Sequence, residues 1–76
     1  MKIQDFISGL QEELEIESNL ETTTYIKDLD EWDSMTAMLL IGYVSNELNV
    51  TLTANDLDAL TTIESLIQRI GEAKFN

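Results

Sequence analysis

Leu29-Asp30-Glu31-Trp32-Asp33-Ser34-Met35 is the stretch where a long acidic segment ends and an apolar helix begins. Asp33 is a good N-cap, because its side-chain oxygen can accept the unpaired backbone N–H groups of a first helical turn. Ser34 is then the first helical residue, with its hydroxyl beside free donors and the positive end of the helix dipole. A phosphate ester there would be favoured by roughly 0.3–1 kcal/mol. Such a serine is either an ordinary helix start or an attachment point for an anionic group.

Downstream, a helix from Ser34 to about Asn49 carries Met35, Ala37, Met38, Leu39, Leu40, Ile41, Tyr43, Val44 and Leu48. It is apolar almost all round and must be the central element. Upstream, Ile3, Phe6, Ile7, Leu10 and Leu14 fall at i, i+3, i+4, i+7 and i+11, which predicts an amphipathic helix over about residues 2–15. Gly9 weakens it by roughly 1 kcal/mol relative to alanine. Residues 16–33 keep no period, and Thr22, Thr23 and Thr24 oppose helix through β-branching. Their scattered apolar residues predict a long connection pinned to the core, with room for a short helical turn.

Val50, Thr51 and Leu52 read as an extended link. Thr53 and Asp56 open a short third helix through Leu57 to Leu60. Thr61 and Glu64 have capping-box spacing before Ile63, Leu66, Ile67 and Ile70, and Gly71 is a natural stop. The expectation is an all-α four-helix bundle with a short third helix and a long loop between helices one and two. It forms a single domain over residues 1–76, folded to 71 with a frayed tail at 72–76, from which Phe75 could fold back. Met35, Leu40, Val44 and Leu48 are expected to meet Phe6, Leu10, Leu14, Ile63 and Leu66 in the core, each buried aliphatic contributing about 1.5–3 kcal/mol.

Composition narrows the function. The 76 residues contain no cysteine and no histidine, which removes thiolate metal sites, disulfides and the usual general base. Asp33 stands beside Ser34, but Lys2, Lys27 and Lys74 are scattered and none supplies a base in the motif, so no enzyme is expected. Asp28, Asp30 and Asp33 only superficially suggest a calcium loop. Counted from Asp28, Asp33 and Leu39 occupy the places that need glycine and glutamate. Fifteen acids against four bases give a net charge of −11, which argues against nucleic acid or an anionic membrane and favours basic partners. The longest apolar run, Ala37 to Val44, is too short to span a bilayer, and a cytoplasmic monomer is expected.

Asp33-Ser34-Met35 resembles the Asp-Ser-Leu attachment motif of the acyl carrier proteins, with methionine in the third place. The resemblance extends over nearly the whole chain. The motif is followed by a helix ending Asn46-Glu47-Leu48, an extended Val50-Thr51-Leu52, a short helix, and Leu60-Thr61-Thr62-Ile63. It implies a covalent 4′-phosphopantetheine on Ser34, added from coenzyme A by a phosphopantetheinyl transferase, with Asp33 helping that enzyme dock near its magnesium. The missing cysteine is no objection, since the reactive thiol belongs to the cofactor. The arm would hold an acyl or aminoacyl cargo as a thioester. A loading ligase and downstream synthases or transferases of fatty-acid, polyketide or other specialised biosynthesis would be its partners.

The chain also departs from the family. The second helix commonly carries several acids, whereas Leu39, Ser45 and Asn46 stand where acids are common and Glu47 alone remains. Recognition is therefore expected to lean on Met35, Met38, Leu39 and Tyr43, with Glu47 and the loop acids Asp28, Asp30 and Glu31. The same methionines and leucine fit a place in the core equally well. Trp32 replaces a frequent glycine and reads as a plug holding the loop. Trp-Asp-Ser resembles stand-alone carriers of specialised pathways, and the Gly-Gly pattern of peptidyl carriers is absent. Cargo type depends on the space between the second and third helices. The rival reading is an unmodified acidic interaction module.

Overall fold

The computed structural model describes residues 1–75. Four α-helices make up the bundle: α1 (Ile3–Glu13), α2 (Ser34–Leu48), α3 (Ala54–Ala59) and α4 (Ile63–Ile70). No β-strand occurs among the described residues. Helix α1 buries Phe6, Ile7 and Leu10, the face its spacing predicts. It ends at Glu13, two residues earlier than expected, because Glu15 enters the left-handed region at φ 53°. The N–H of Glu15 then donates to Glu12 O (3.2 Å) and that of Ile16 to Gln11 O (3.0 Å). This is a Schellman stop built without glycine.

The connection from α1 to α2 is anchored at both faces. Ile16, Leu20 and Ile26 are buried in the core, and a 3₁₀ turn runs over Ile26–Asp28. Three backbone bonds tie the loop to the start of α4. Ile26 N–H donates to Thr61 O (2.9 Å), Ile63 N–H to Thr24 O (3.1 Å) and Glu64 N–H to Thr22 O (2.9 Å). Two orphan donors of the α4 first turn are thereby satisfied by loop carbonyls. This arrangement corrects the expected Thr61–Glu64 capping box. Thr61 is drawn into the ladder with the loop, so the cap falls to Thr62. Its Oγ1 accepts from Ser65 N–H (3.2 Å), and Ser65 Oγ accepts in return from Thr62 N–H (3.1 Å).

The α3 cap is stronger than its sequence suggests. Thr53 and Asp56 form a complete capping box, and Arg69 from α4 grips the same carboxylate through Nε (2.7 Å) and Nη2 (3.0 Å). The Arg69 guanidinium, with help from the Thr53 backbone, holds the Asp56 carboxyl down to about 2. Ionised Asp56 therefore supports the fold fully above the ordinary carboxylate pKa of about 3.9, and that support drains as pH falls through about 2. Asp56→Asn should lower the melting temperature at pH 7, with the gap to wild type narrowing between pH 4 and pH 2. Thermal melts across that range check it.

The core is drawn from every element, with Phe6, Leu10, Leu40, Val44, Ile63 and Leu66 almost wholly enclosed. Met35 is a correction, since its side chain is 71% exposed rather than part of this core. The reason is register. Thr36, Leu40, Tyr43, Val44 and Leu48 share the inner face of α2, which places Met35, Met38 and Leu39 on the outer one. Tyr43 packs on α1, its ring 5.5 Å from that of Phe6 and its hydroxyl donating to Phe6 O (3.1 Å). Gly9 makes this possible, because a Cβ there would overlap the Tyr43 hydroxyl. The glycine that costs helix propensity makes room for Tyr43 against α1. Gly9→Ala should lose about 1–3 kcal/mol in urea unfolding, despite the better helix former.

In the tail, Phe75 folds back on the bundle, as its apolar ring allows. Glu72–Lys74 form a 3₁₀ turn after Gly71 (φ 109°), and Phe75 returns to stack edge-on against Phe6 at 5.2 Å. Burial of the ring supplies what the polar sequence around it does not. Asn76, part of the expected frayed tail, lies outside the described residues.

Candidate functional site

The mouth of α2 is assembled from its own first turn and the end of the loop. Asp33 is extended (φ −154°, ψ −173°), and its Oδ1 accepts from Thr36 N–H at 2.8 Å, the N-cap that the sequence indicates. Thr36, whose importance the sequence reading missed, is the one polar side chain counted as buried among the described residues. Its single hydroxyl proton lies between Glu31 O (2.7 Å) and Asp33 Oδ1 (2.9 Å), locking loop and helix together. The signal that could have found it is the Asp-x-x-Thr spacing, in which a capping acid meets a hydroxyl at the third helical position. The Thr36 N–H, and then its hydroxyl, hold the Asp33 carboxyl below the usual range. Asp33 thus stays ionised at the mouth, with the Met35 N–H adding a smaller pull in the same direction.

Ser34 is exposed at the first position of this 15-residue helix. It borders an open cleft of about 370 Å³ whose other walls are Lys27, Trp32, Asp33, Ala37, Ala54, Leu57 and Asp58. Trp32 is half-buried against the core while forming one wall of the cleft, so it does hold the loop to the bundle. Lys27 reaches from the loop to α3, where its Nζ donates to Asp58 O at 2.7 Å.

The recognition residues named from the sequence separate into two sets. Met35, Met38 and Leu39 stand exposed on α2 at 71%, 71% and 42%, with Glu47 and the loop acids Asp28 and Asp30 also at the surface. Tyr43 does not join them. It is buried and hydrogen-bonded to α1, a correction that follows from the space Gly9 leaves. Glu31 is half-buried and turned inward, its Oε2 accepting from Glu17 N–H at 3.0 Å, so it straps the loop instead of facing solvent. No group of three or more acids, histidines or cysteines converges to hold a metal ion among the described residues.

A family model described as "Phosphopantetheine attachment site" matches residues 4–70, which takes in the mouth of α2 and all four helices. The chain belongs to that phosphopantetheine-binding family. Its domain is a site of covalently attached 4′-phosphopantetheine, and carrier domains of this kind are generally non-catalytic. They work with a phosphopantetheinyl transferase and biosynthetic enzymes. No curated protein and no solved structure matches the chain. No helix among the described residues is long and apolar enough to cross a membrane.

Proposed function

We propose that Ser34 carries the 4′-phosphopantetheine and that the protein is a cytoplasmic carrier of acyl or aminoacyl thioesters for a specialised biosynthetic route. The observation that supports this most is the exposed Ser34 hydroxyl at a helix mouth whose cap is made by another residue. Because Asp33 supplies the cap, the serine is free for esterification without loss of helix termination. The cleft also suits the group. Trp32, Ala37, Ala54 and Leu57 offer apolar walls to the proximal arm, while Ser34 sits at its border.

When bound, the arm supplies the thiol that holds cargo. The walls of the cleft would hold the base of the arm and shield one side of it from water. Asp33, its carboxyl held below the usual range, would help the transferase dock and would lie near that enzyme's magnesium. Met35, Met38 and Leu39 give enzymes an apolar face close to the arm, and Asp30 and Glu47 add the acidic rim that steers basic partners. This face is less acidic than the resemblance would imply, so partner choice rests more on fit.

The deciding measurement is intact mass after incubation with coenzyme A, magnesium and a broad-range phosphopantetheinyl transferase. The expected result is a gain of one phosphopantetheine. A mass unchanged under several such transferases would favour the unmodified interaction module.

A further inference from the structure

Lys27 is a base whose charge the fold leaves without a counter-charge. The chain has only four bases against fifteen acids. Arg69 is committed to the Asp56 carboxylate, whereas Lys27 forms no ion pair among the described residues. Its Nζ donates instead to a neutral carbonyl, Asp58 O, at 2.7 Å. An ammonium has three donors, so this clasp leaves two to spare. The side chain is exposed, and it borders the cleft that Ser34 borders.

That cleft needs a cation once Ser34 is esterified. A phosphodiester carries a negative charge and stands directly beside ionised Asp33, in a cleft that Asp58 also borders. Adjacent like charges repel, and a chain at −11 has little elsewhere to offset them. The mouth of α2 is only part of the remedy, because its donors are largely taken. Thr36 N–H goes to Asp33 Oδ1 (2.8 Å) and Ala37 N–H to Asp33 O (2.9 Å), while Met35 N–H leans on the same carboxylate.

We propose that Lys27 is a positioning residue for the arm, its spare N–H groups holding the phosphodiester on Ser34 while one stays on Asp58 O. The lysine then ties the base of the arm to the loop and to α3 at once. The phosphate is favoured over a charged cargo because its bond to Ser34 fixes it at the border of the cleft. Cargo hangs at the far end of the arm. A tethered anion is also captured without the cost of bringing a free one in from solution. Lysine suits the task as a compact charge on a flexible four-carbon stem. The proposal rests on the carrier reading given above.

The test uses wild type, Lys27→Gln and Lys27→Arg, each melted before and after loading of Ser34 from coenzyme A by the broad-range transferase. Comparing each protein with its own unloaded form cancels the loss of the Asp58 clasp, which both forms share. Loading should lower the melting temperature of Lys27→Gln by roughly 2–4 °C more than that of wild type, with Lys27→Arg behaving as wild type. This excess should shrink in about 1 M salt. The phosphorus NMR resonance of the loaded protein should also move on Lys27→Gln, whereas a clasp between loop and α3 alone would leave it in place. If wild type loads, and Lys27→Gln shows the same loading shift and the same phosphorus resonance, the proposal falls while the carrier reading stands. If wild type stays unloaded under several transferases, the carrier reading fails and takes the proposal with it. An excess seen only with a succinyl-loaded arm, and not with the free thiol or an acetyl group, would assign Lys27 to a carboxylate-bearing cargo and overturn the proposal.

Discussion

Ser34→Ala should reduce phosphopantetheine incorporation from stoichiometric to undetectable while leaving the fold intact. The two halves of this expectation come from different atoms. Loss of incorporation follows from removing the hydroxyl that opens on the cleft beside Asp33. Preservation of the fold follows because Asp33, not Ser34, caps α2, and no hydrogen bond of the Ser34 side chain is present among the described residues. Alanine is the best helix former and the site is exposed, so stability should stay within about 0.5 kcal/mol of wild type. Thr36→Ala supplies the contrast. That hydroxyl is enclosed and ties Glu31 to the helix mouth, so its loss should lower the melting temperature and leave a modifiable serine. Intact mass and thermal melts of the two variants separate attachment from architecture. A mass gain that survived Ser34→Ala would place the arm elsewhere.

Phe6→Ala should remove a large share of the stability of the fold. Phe6 is fully enclosed and joins α1 to two other parts of the molecule. Its ring lies against Tyr43 on α2 and Phe75 in the tail, and its carbonyl accepts the Tyr43 hydroxyl. Truncating a buried phenylalanine costs about 3–5 kcal/mol. A domain of 76 residues has only about 4–11 kcal/mol in total. Met38→Ala, on the exposed face of α2, removes a side chain of similar bulk and should change stability by no more than about 0.5 kcal/mol. Urea midpoints for the pair check the ordering. A Phe6→Ala variant as stable as Met38→Ala would mean that α1 does not dock as described.

Much of this architecture can be read from residue spacing. The faces of α1 and α4 carry clean helical periods, and Asp33, Thr53 and Gly71 mark helix ends by residue type alone. What stayed hidden has common physical roots. The end of α1 is invisible because Glu15, not glycine, takes the left-handed position. The inner face of α2 cannot be chosen by pattern when nearly every residue is apolar, so spacing alone does not separate exposed Met35 from buried Tyr43. That choice is made by Gly9, on another helix, which opens the place Tyr43 fills. Likewise, the capping residue of α4 is set by the loop pairing with Thr61, a contact between segments distant in sequence. At the site, the Ser34–Asp33 pair was legible from its local motif, whereas Thr36 and the inward turn of Glu31 depend on where the loop comes to rest.

The hydrogen bonds from Ile63 and Glu64 to the carbonyls of Thr24 and Thr22 have a mechanical consequence. Loop and α4 share one seam, so neither can come away without exposing the polar groups of the other. An enzyme that pries at this loop would therefore strain α4 as well. On the proposed carrier reading, the movement that hands over a cargo would then fall mainly to the arm.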